Sequence, residues 1–253
     1  MTLLKSKPLA VVIPVKDNFE GLQKTLEALW KEAYISERIE IAVVDAGSCL
    51  ATSQWLLTQD HRIEHIRSAK DNGVYDAMNY GKNTVNAPWI WFLGAGDIPE
   101  EGTLISRLDA IITWDPRQLQ IHGVAIESPE IGVPAHYRAR WDHSMIWRNT
   151  THHQGVIYPA ELLKEHSFDV EHPILADYGL HLSLFQKAVE AQLHPQTICK
   201  VEAGGVSRRF DTNLYREEWK VKKSVLQGPQ KWVHPIWLLF KYVFKKSGWP
   251  VRV

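Results

Sequence analysis

The chain has 253 residues, enough for one large domain or a domain with an appendage, and its 29 basic and 29 acidic residues balance. That balance removes the global electrostatic case for a nucleic-acid or acidic-polymer ligand. The two cysteines, Cys49 and Cys199, lack C-x-x-C spacing, which argues against a disulfide scaffold or structural zinc and fits a reducing compartment.

The N-terminal stretch MTLLKSKPLAVVIPVKD interrupts its apolar run with Lys5, Lys7 and Pro8, unlike a secretory leader. No segment reaches the ~18 uninterrupted apolar residues of a spanning helix. The expected location is the cytoplasm. LAVVIPV (Leu9 to Val15) is an apolar run of strand length. In NFEGLQKTLEALWKEA, Leu22, Leu26, Leu29 and Trp30 fall at helical spacing, and Asp17 with Glu20 are placed to open that helix as a capping box. IEIAVVD (Ile39 to Asp45) is a second buried strand. Gly47 and Ser48 then turn into a helix holding Trp55, Leu56 and Leu57. IEHIRS (Ile63 to Ser68) is a weaker third strand, Tyr75 to Val85 a helix, and WIWFL (Trp89 to Leu93) a fourth strand that breaks into Gly94-Ala95-Gly96-Asp97.

The second half is less regular. LQIHGVAIE and HYRARW read as strands, and HHQGVIYP (His152 to Pro159) as a short strand entered through two histidines. ADYGLHLSLFQKAVEA reads as a helix beginning at Asp177. TICKVEAGGVS ends a last strand in a double-glycine turn, and the chain is helical and peripheral from Asn213 on. Alternating helices and wholly apolar strands predict an α/β fold with a mostly parallel sheet covered on both faces. Such sheets bind ligands at the carboxyl ends of their strands. Asp17, Asp45 and Asp97 all fall at or just past predicted strand ends. Each taken singly reads as a helix cap, but three on one edge make a polar site.

Common alternatives fail by absence. No G-x-G-x-x-G or G-x-x-x-x-G-K-[ST] follows a strand. There is no H-E-x-x-H or paired Cys/His cluster for zinc, and no G-x-S-x-G elbow. What remains is carboxylates. VVIPVKDN, AVVDAGS, DNGVYDAMNYGKNTVNAPWIWFLGAGD, HHQGVIYP, ADYGLHLSL and GGVS occur in that order. Together they resemble the family 2 glycosyltransferases, in particular bacterial enzymes that build exopolysaccharide, capsule or lipopolysaccharide side chains.

The resemblance implies a GT-A catalytic domain over about 1–210, with a nucleotide-binding half to about 100, an acceptor half after it, and a helical tail over 211–253. It implies transfer, with inversion, of a sugar from a nucleoside diphosphate donor to a saccharide or lipid-linked acceptor. A Mn2+ or Mg2+ ion would serve the leaving diphosphate. By motif position, Pro14, Asp17, Asp45, Asp71, Asp76, Asn79 and Gly96 belong to the nucleotide site. Asp76 and Asn79 share a helical face, and Asn79 reads equally as a structural bond to backbone. Asp97 matches the metal acid, although Gly96 stands where many relatives carry a second acid. Asp177 matches the general base and also reads as an N-cap; Gly179 replaces a second acid there. His153, Gln154 and Arg208 match acceptor or diphosphate contacts, and Gly204 with Gly205 a turn on the acceptor side.

In the tail, Trp232, Ile236, Leu239, Phe240 and Val243 form an apolar face bordered by Lys231, Lys241, Lys245 and Lys246. This reads as a helix at the inner membrane surface, the alternative being a helix docked on protein. Two rival functions are a sugar-nucleotide pyrophosphorylase, whose Gly-rich loop is missing, and a catalytically silent sugar-nucleotide-binding partner.

Overall fold

The computed structural model describes residues 7–129, 134–202, 212–228 and 230–246. The first half runs β1 (Leu9–Val15), α1 (Phe19–Trp30), α2 (Ala33–Ser36), β2 (Ile39–Asp45), α3 (Leu50–Leu57), β3 (His65–Ser68), α4 (Val74–Thr84), β4 (Trp89–Phe92), β5 (Ile98–Pro99) and α5 (Glu101–Ala110). The second half runs β6 (Leu119–Ile126), β7 (His136–Tyr137), β8 (Val156–Pro159), α6 (Ala160–Glu165), α7 (Ala176–Gln186), β9 (Ala191–Val201), α8 (Thr212–Val225) and α9 (Gln230–Lys246).

One mixed sheet has the order β3-β2-β1-β4-β8-β6-β9-β5, with β7 paired to β6. The first four strands are parallel, as their apolar runs predict. Beyond β4 the sheet departs from a mostly parallel one. β8 runs antiparallel to both β4 and β6, β5 is antiparallel to β9, and only the β6–β9 pair is parallel.

Both faces of the parallel half are covered, which is why its strands are apolar throughout. Val11, Ile13 and Trp91 pack with Leu22, Leu26 and Leu29 of α1, while Ala10, Val12, Ile90 and Phe92 pack with Met78 of α4 and Leu180 of α7. Val15 pairs with Asp45, and Asp45 with Ser68, so the carboxyl ends of β1, β2 and β3 form one edge.

Three local expectations change. α1 is capped by Asn18, whose side chain accepts the Gly21 N–H at 3.0 Å, and not by Asp17. Asp17 stands one residue too early, in a left-handed turn with φ 51°. Asp177 lies inside the first turn of α7, where Leu175 holds the cap position. HYRARW pairs with β6 only through His136 and Tyr137; after that Trp141 leaves the sheet, donates its Nε1–H to Val189 O at 2.9 Å and packs on Phe185.

Candidate active site

Asp97 closes the loop that follows β4. Its Oδ2 accepts the Gly94 N–H at 2.6 Å and a Gln154 Nε2–H at 3.2 Å, and its Oδ1 accepts the Glu202 N–H at 3.2 Å. Thr25 of α1 pins the loop from below: its hydroxyl donates to the Asp97 carbonyl at 2.9 Å and accepts the Gly96 N–H at 2.9 Å. The glycines make room for acids. A Cβ on Gly94 would sit 3.1 Å from Asp97 Oδ2, and one on Gly96, whose φ is +107°, would land on the Glu202 carboxylate. Asp97 is 3% exposed. Burial pushes its pKa above the usual carboxylate range, against hydrogen bonds from Gly94 and Gln154 that pull it down.

Asp177 is also buried, at 8% exposure, but among different partners. Its Oδ1 accepts the Tyr178 N–H at 2.7 Å and the Tyr75 hydroxyl at 3.1 Å, and its Oδ2 accepts from His153 Nδ1 at 2.9 Å. An ionised carboxylate only accepts, so the shared His153 proton sits on Nδ1. Burial works to raise the Asp177 pKa. The His153 hydrogen bond and charge, with lesser help from His181 and His152, win and lower it to about 2. His181 itself is lowered to about 4 by burial, so its charge lends little at neutral pH. Tyr75 is driven well above its ordinary value by burial and by Asp177, which keeps it a donor.

One short turn joins the two acids. His153–Gly155 forms a 3₁₀ turn leading into β8. His153 reaches Asp177 and the next residue, Gln154, reaches Asp97. Trp91 of β4 holds the turn by donating its Nε1–H to Gln154 O at 2.8 Å. The match to an HQ pair found these residues; it did not tell that consecutive side chains serve different acids.

The candidate nucleotide residues lie along the carboxyl edge. Asp45 ends β2, fully buried, and accepts the Ser48 N–H at 3.1 Å and the Ser68 hydroxyl at 2.5 Å. Asp17 is exposed, and its N–H donates to Ser48 Oγ at 2.8 Å. Asp71 accepts the Gly73 N–H and Asp76 the Asn72 N–H, both at 3.0 Å, which orders the loop before α4. Pro14 is buried in β1 beyond Val12, where pairing with β4 ends, so its missing N–H breaks no ladder there.

Asn79 departs from the nucleotide group. Its Nδ2–H donates to Phe168 O at 2.8 Å and its Oδ1 accepts the Phe168 N–H at 3.0 Å, so the amide is taken up as a staple between α4 and the segment before α7. Its helical neighbour Asp76 faces the Asn72 loop instead, and the two do not act as a pair. Arg208, Gly204 and Gly205 lie outside the described residues. Tyr75 and Glu202 join the site without having been singled out; Tyr75 was present as the Tyr of the DNGVYDAMN block.

Residues 10–160, more than half of the chain, match the sequence profile of glycosyl transferase family 2. The chain belongs to this family. A glycosyltransferase of PGL/p-HBAD biosynthesis from Mycobacterium tuberculosis is 27% identical over 151 residues, covering 56% of each chain. The match thus spans about half the length of that relative. An uncharacterised glycosyltransferase of M. tuberculosis is 33% identical over 95 residues, 37% of this chain and 36% of the other.

Among solved structures, Staphylococcus aureus TarS bound to UDP-GlcNAc superposes with a TM-score of 0.70 at 14% identity, over 95% of this chain and 73% of that one. The mannosyltransferase PcManGT from Pyrobaculum calidifontis, bound to GDP-Man and Mn2+, gives 0.59 at 16%, over 97% and 72%. These likenesses establish the GT-A fold, an α/β sheet flanked by helices.

The residues around Asp97 fit a hard divalent cation. The side chains that hydrogen-bond to the loop, Gln154, Thr25 and Asn18, offer hydroxyl or neutral amide groups, and Gln154 Oε1 is buried without a hydrogen-bond partner among the described residues. Among the described residues no group of three or more His, Cys, Asp or Glu surrounds a common point. That is compatible with Mg2+, which keeps several waters and takes one or two carboxylates.

The tail is docked on protein along one face, as the second of its two sequence readings expects. α9 docks on α8 through buried His234 and Leu238, and Trp237 donates to Trp147 O at 3.3 Å. Lys241 does not border the apolar face but pairs with buried Glu218 at 2.8 Å. The opposite face stays open, with Trp232 81% and Ile236 73% exposed beside Leu239, Phe240 and Val243. No described helix is long and apolar enough to cross a membrane.

Proposed function

We propose that the chain transfers a sugar from a nucleoside diphosphate donor to a hydroxyl of a saccharide or lipid-linked saccharide, with inversion, in bacterial surface polysaccharide assembly. The observation that carries this is the pairing of two buried acids through one turn at the carboxyl edge of the sheet. Asp45, Asp17 and the Asp71–Asp76 loop border the nucleoside side; a carboxylate suits ribose hydroxyls and base N–H groups because it only accepts hydrogen bonds. Asp97 would hold the cation, which when bound neutralises charge on the leaving diphosphate.

Asp177 acts as the general base. Held ionised by His153 and Tyr75, it draws the proton from the acceptor hydroxyl as that oxygen attacks the anomeric carbon. The low pKa keeps it ionised at neutral pH, so that it can take the hydroxyl proton as the new bond forms. Turnover of UDP- and GDP-sugars with saccharide acceptors, measured beside donor binding, tests the reading. Binding without hydrolysis or transfer across the panel would favour the silent partner.

The proposed location is cytoplasmic, on the inner face of the plasma membrane, with the open face of α9 set into an anionic lipid surface. An exposed stripe containing Trp232, Ile236, Leu239 and Phe240 is too apolar for solvent and too short to span. Lys231 at one end of the helix, and Lys245 and Lys246 at the other in sequence, match anionic headgroups.

A further inference from the structure

We propose that Glu202 supplies the second carboxylate of a divalent-cation site centred on Asp97, with the Gln154 amide oxygen as a neutral third donor. The inference rests on the reading of Asp97 as the cation-side acid and names the residues that complete it. The space that a side chain at residue 96, next to Asp97 in sequence, would fill holds the Glu202 carboxylate instead. Glu202 is tied there at both ends. Its N–H donates to Asp97 Oδ1 at 3.2 Å, and Asn18 Nδ2 donates to its Oε2 at 3.2 Å while also bonding Ala95 O at 2.9 Å. A residue just past β9 is thereby locked to the loop after β4.

Gln154 provides an independent pointer to a ligand. It is 7% exposed, keeps Nε2 on Asp97 Oδ2 at 3.2 Å, and leaves Oε1 buried without a partner among the described residues. An unpaired buried amide oxygen is a costly arrangement. Turning the amide over would set Oε1 against Asp97 Oδ2, an acceptor–acceptor contact that a cation between them resolves.

The charge balance points the same way. Neither Asp97 nor Glu202 takes part in any ion pair among the described residues. Glu202 is exposed, but Asp97 is 3% exposed, and a buried anion without a countercharge is unfavourable. All three donors are hard oxygens, which selects Mg2+ or Mn2+ over softer metals.

The test is Mn2+ uptake by the full chain, read from the paramagnetic resonance signal of free Mn2+, alone and with UDP or GDP. Nucleotide binding in chelator is measured alongside. Wild type should take up Mn2+, and Asp97→Asn should abolish uptake. Glu202→Gln should weaken it by roughly tenfold or more with unchanged melting in chelator. Gln154→Glu, which adds a charge, should tighten it. If Asp97→Asn loses Mn2+ while Glu202→Gln and Glu202→Ala bind like wild type, Glu202 is not a ligand and the reading of Asp97 stands. If wild type takes up no Mn2+ with either nucleotide, the site is overturned, and nucleotide binding in chelator decides separately whether the donor reading survives.

Discussion

Asp97 and Asp177 are buried to nearly the same degree and are held by consecutive residues of one turn, His153 and Gln154, yet the protein treats them oppositely. Asp177 is surrounded by groups that want an anion: an imidazole N–H, a phenol and a backbone amide. Its pKa falls to about 2. Asp97 receives only neutral N–H groups, and burial raises its pKa. One acid is met by an imidazole N–H and a phenol; the other is met only by amide N–H groups. Burial alone therefore does not set the pKa of a carboxylate; the groups that hydrogen-bond to it decide the direction.

The comparison breaks most visibly at Asp177. Asp177→Asn keeps the shape but cannot accept a proton, so transfer should drop by about 10²–10⁴-fold while donor affinity is unchanged. Affinity falling in step with rate would make Asp177 a structural residue. At Asp97 the expected effect is smaller and conditional. Asp97→Ala should weaken nucleoside diphosphate binding by roughly tenfold in Mn2+ and barely in chelator. Equal binding by mutant and wild type in Mn2+ would remove Asp97 from the site.

His153→Gln sharpens the contrast. It withdraws the principal group that lowers the Asp177 pKa, so that pKa should rise and the acid limb of kcat/KM should move to higher pH. The linked stability effect has a definite sign. A depressed carboxylate contributes stability that is present above about 4 and is lost as pH falls towards about 2. Acid unfolding of His153→Gln should therefore begin at higher pH than in wild type; coincident acid-unfolding curves would break the coupling.

The smallest effect on either acid should come from α9. Ile236→Ser with Leu239→Ser and Phe240→Ser should leave donor binding and transfer to a soluble acceptor within about twofold, since surface changes away from such features perturb little. The same variant should no longer sediment with anionic vesicles. Substitution is the cleaner test than truncation, because Lys241 closes a buried pair with Glu218. Wild type that ignores vesicles at every salt concentration would end the membrane reading.

The parallel half was legible because burial on both faces forces long apolar runs, and the period of α1 was equally plain. The second half was harder for a physical reason. Strands such as β7 hold only two paired residues, and Trp141 donates its indole N–H to Val189 O, just past α7, which no local pattern encodes. Asp97 and Asp177 were readable from position and motif. Asn79 was not resolved, because its partner is the Phe168 backbone, distant in sequence. Glu202 was invisible for the same reason: its place beside Gly96 exists only once β9 has been laid next to the loop after β4.

The contrast between the two acids can be measured directly by following carboxyl carbon resonances of the aspartates against pH, with assignments from Asp97→Asn and Asp177→Asn, in the presence and absence of Mg2+. The account predicts that Asp177 stays ionised to the lowest pH at which the fold persists and ignores Mg2+, whereas Asp97 titrates above the ordinary carboxylate range and shifts downward when Mg2+ is added. Two aspartates titrating together, or Mg2+ acting on Asp177 and not on Asp97, would contradict it.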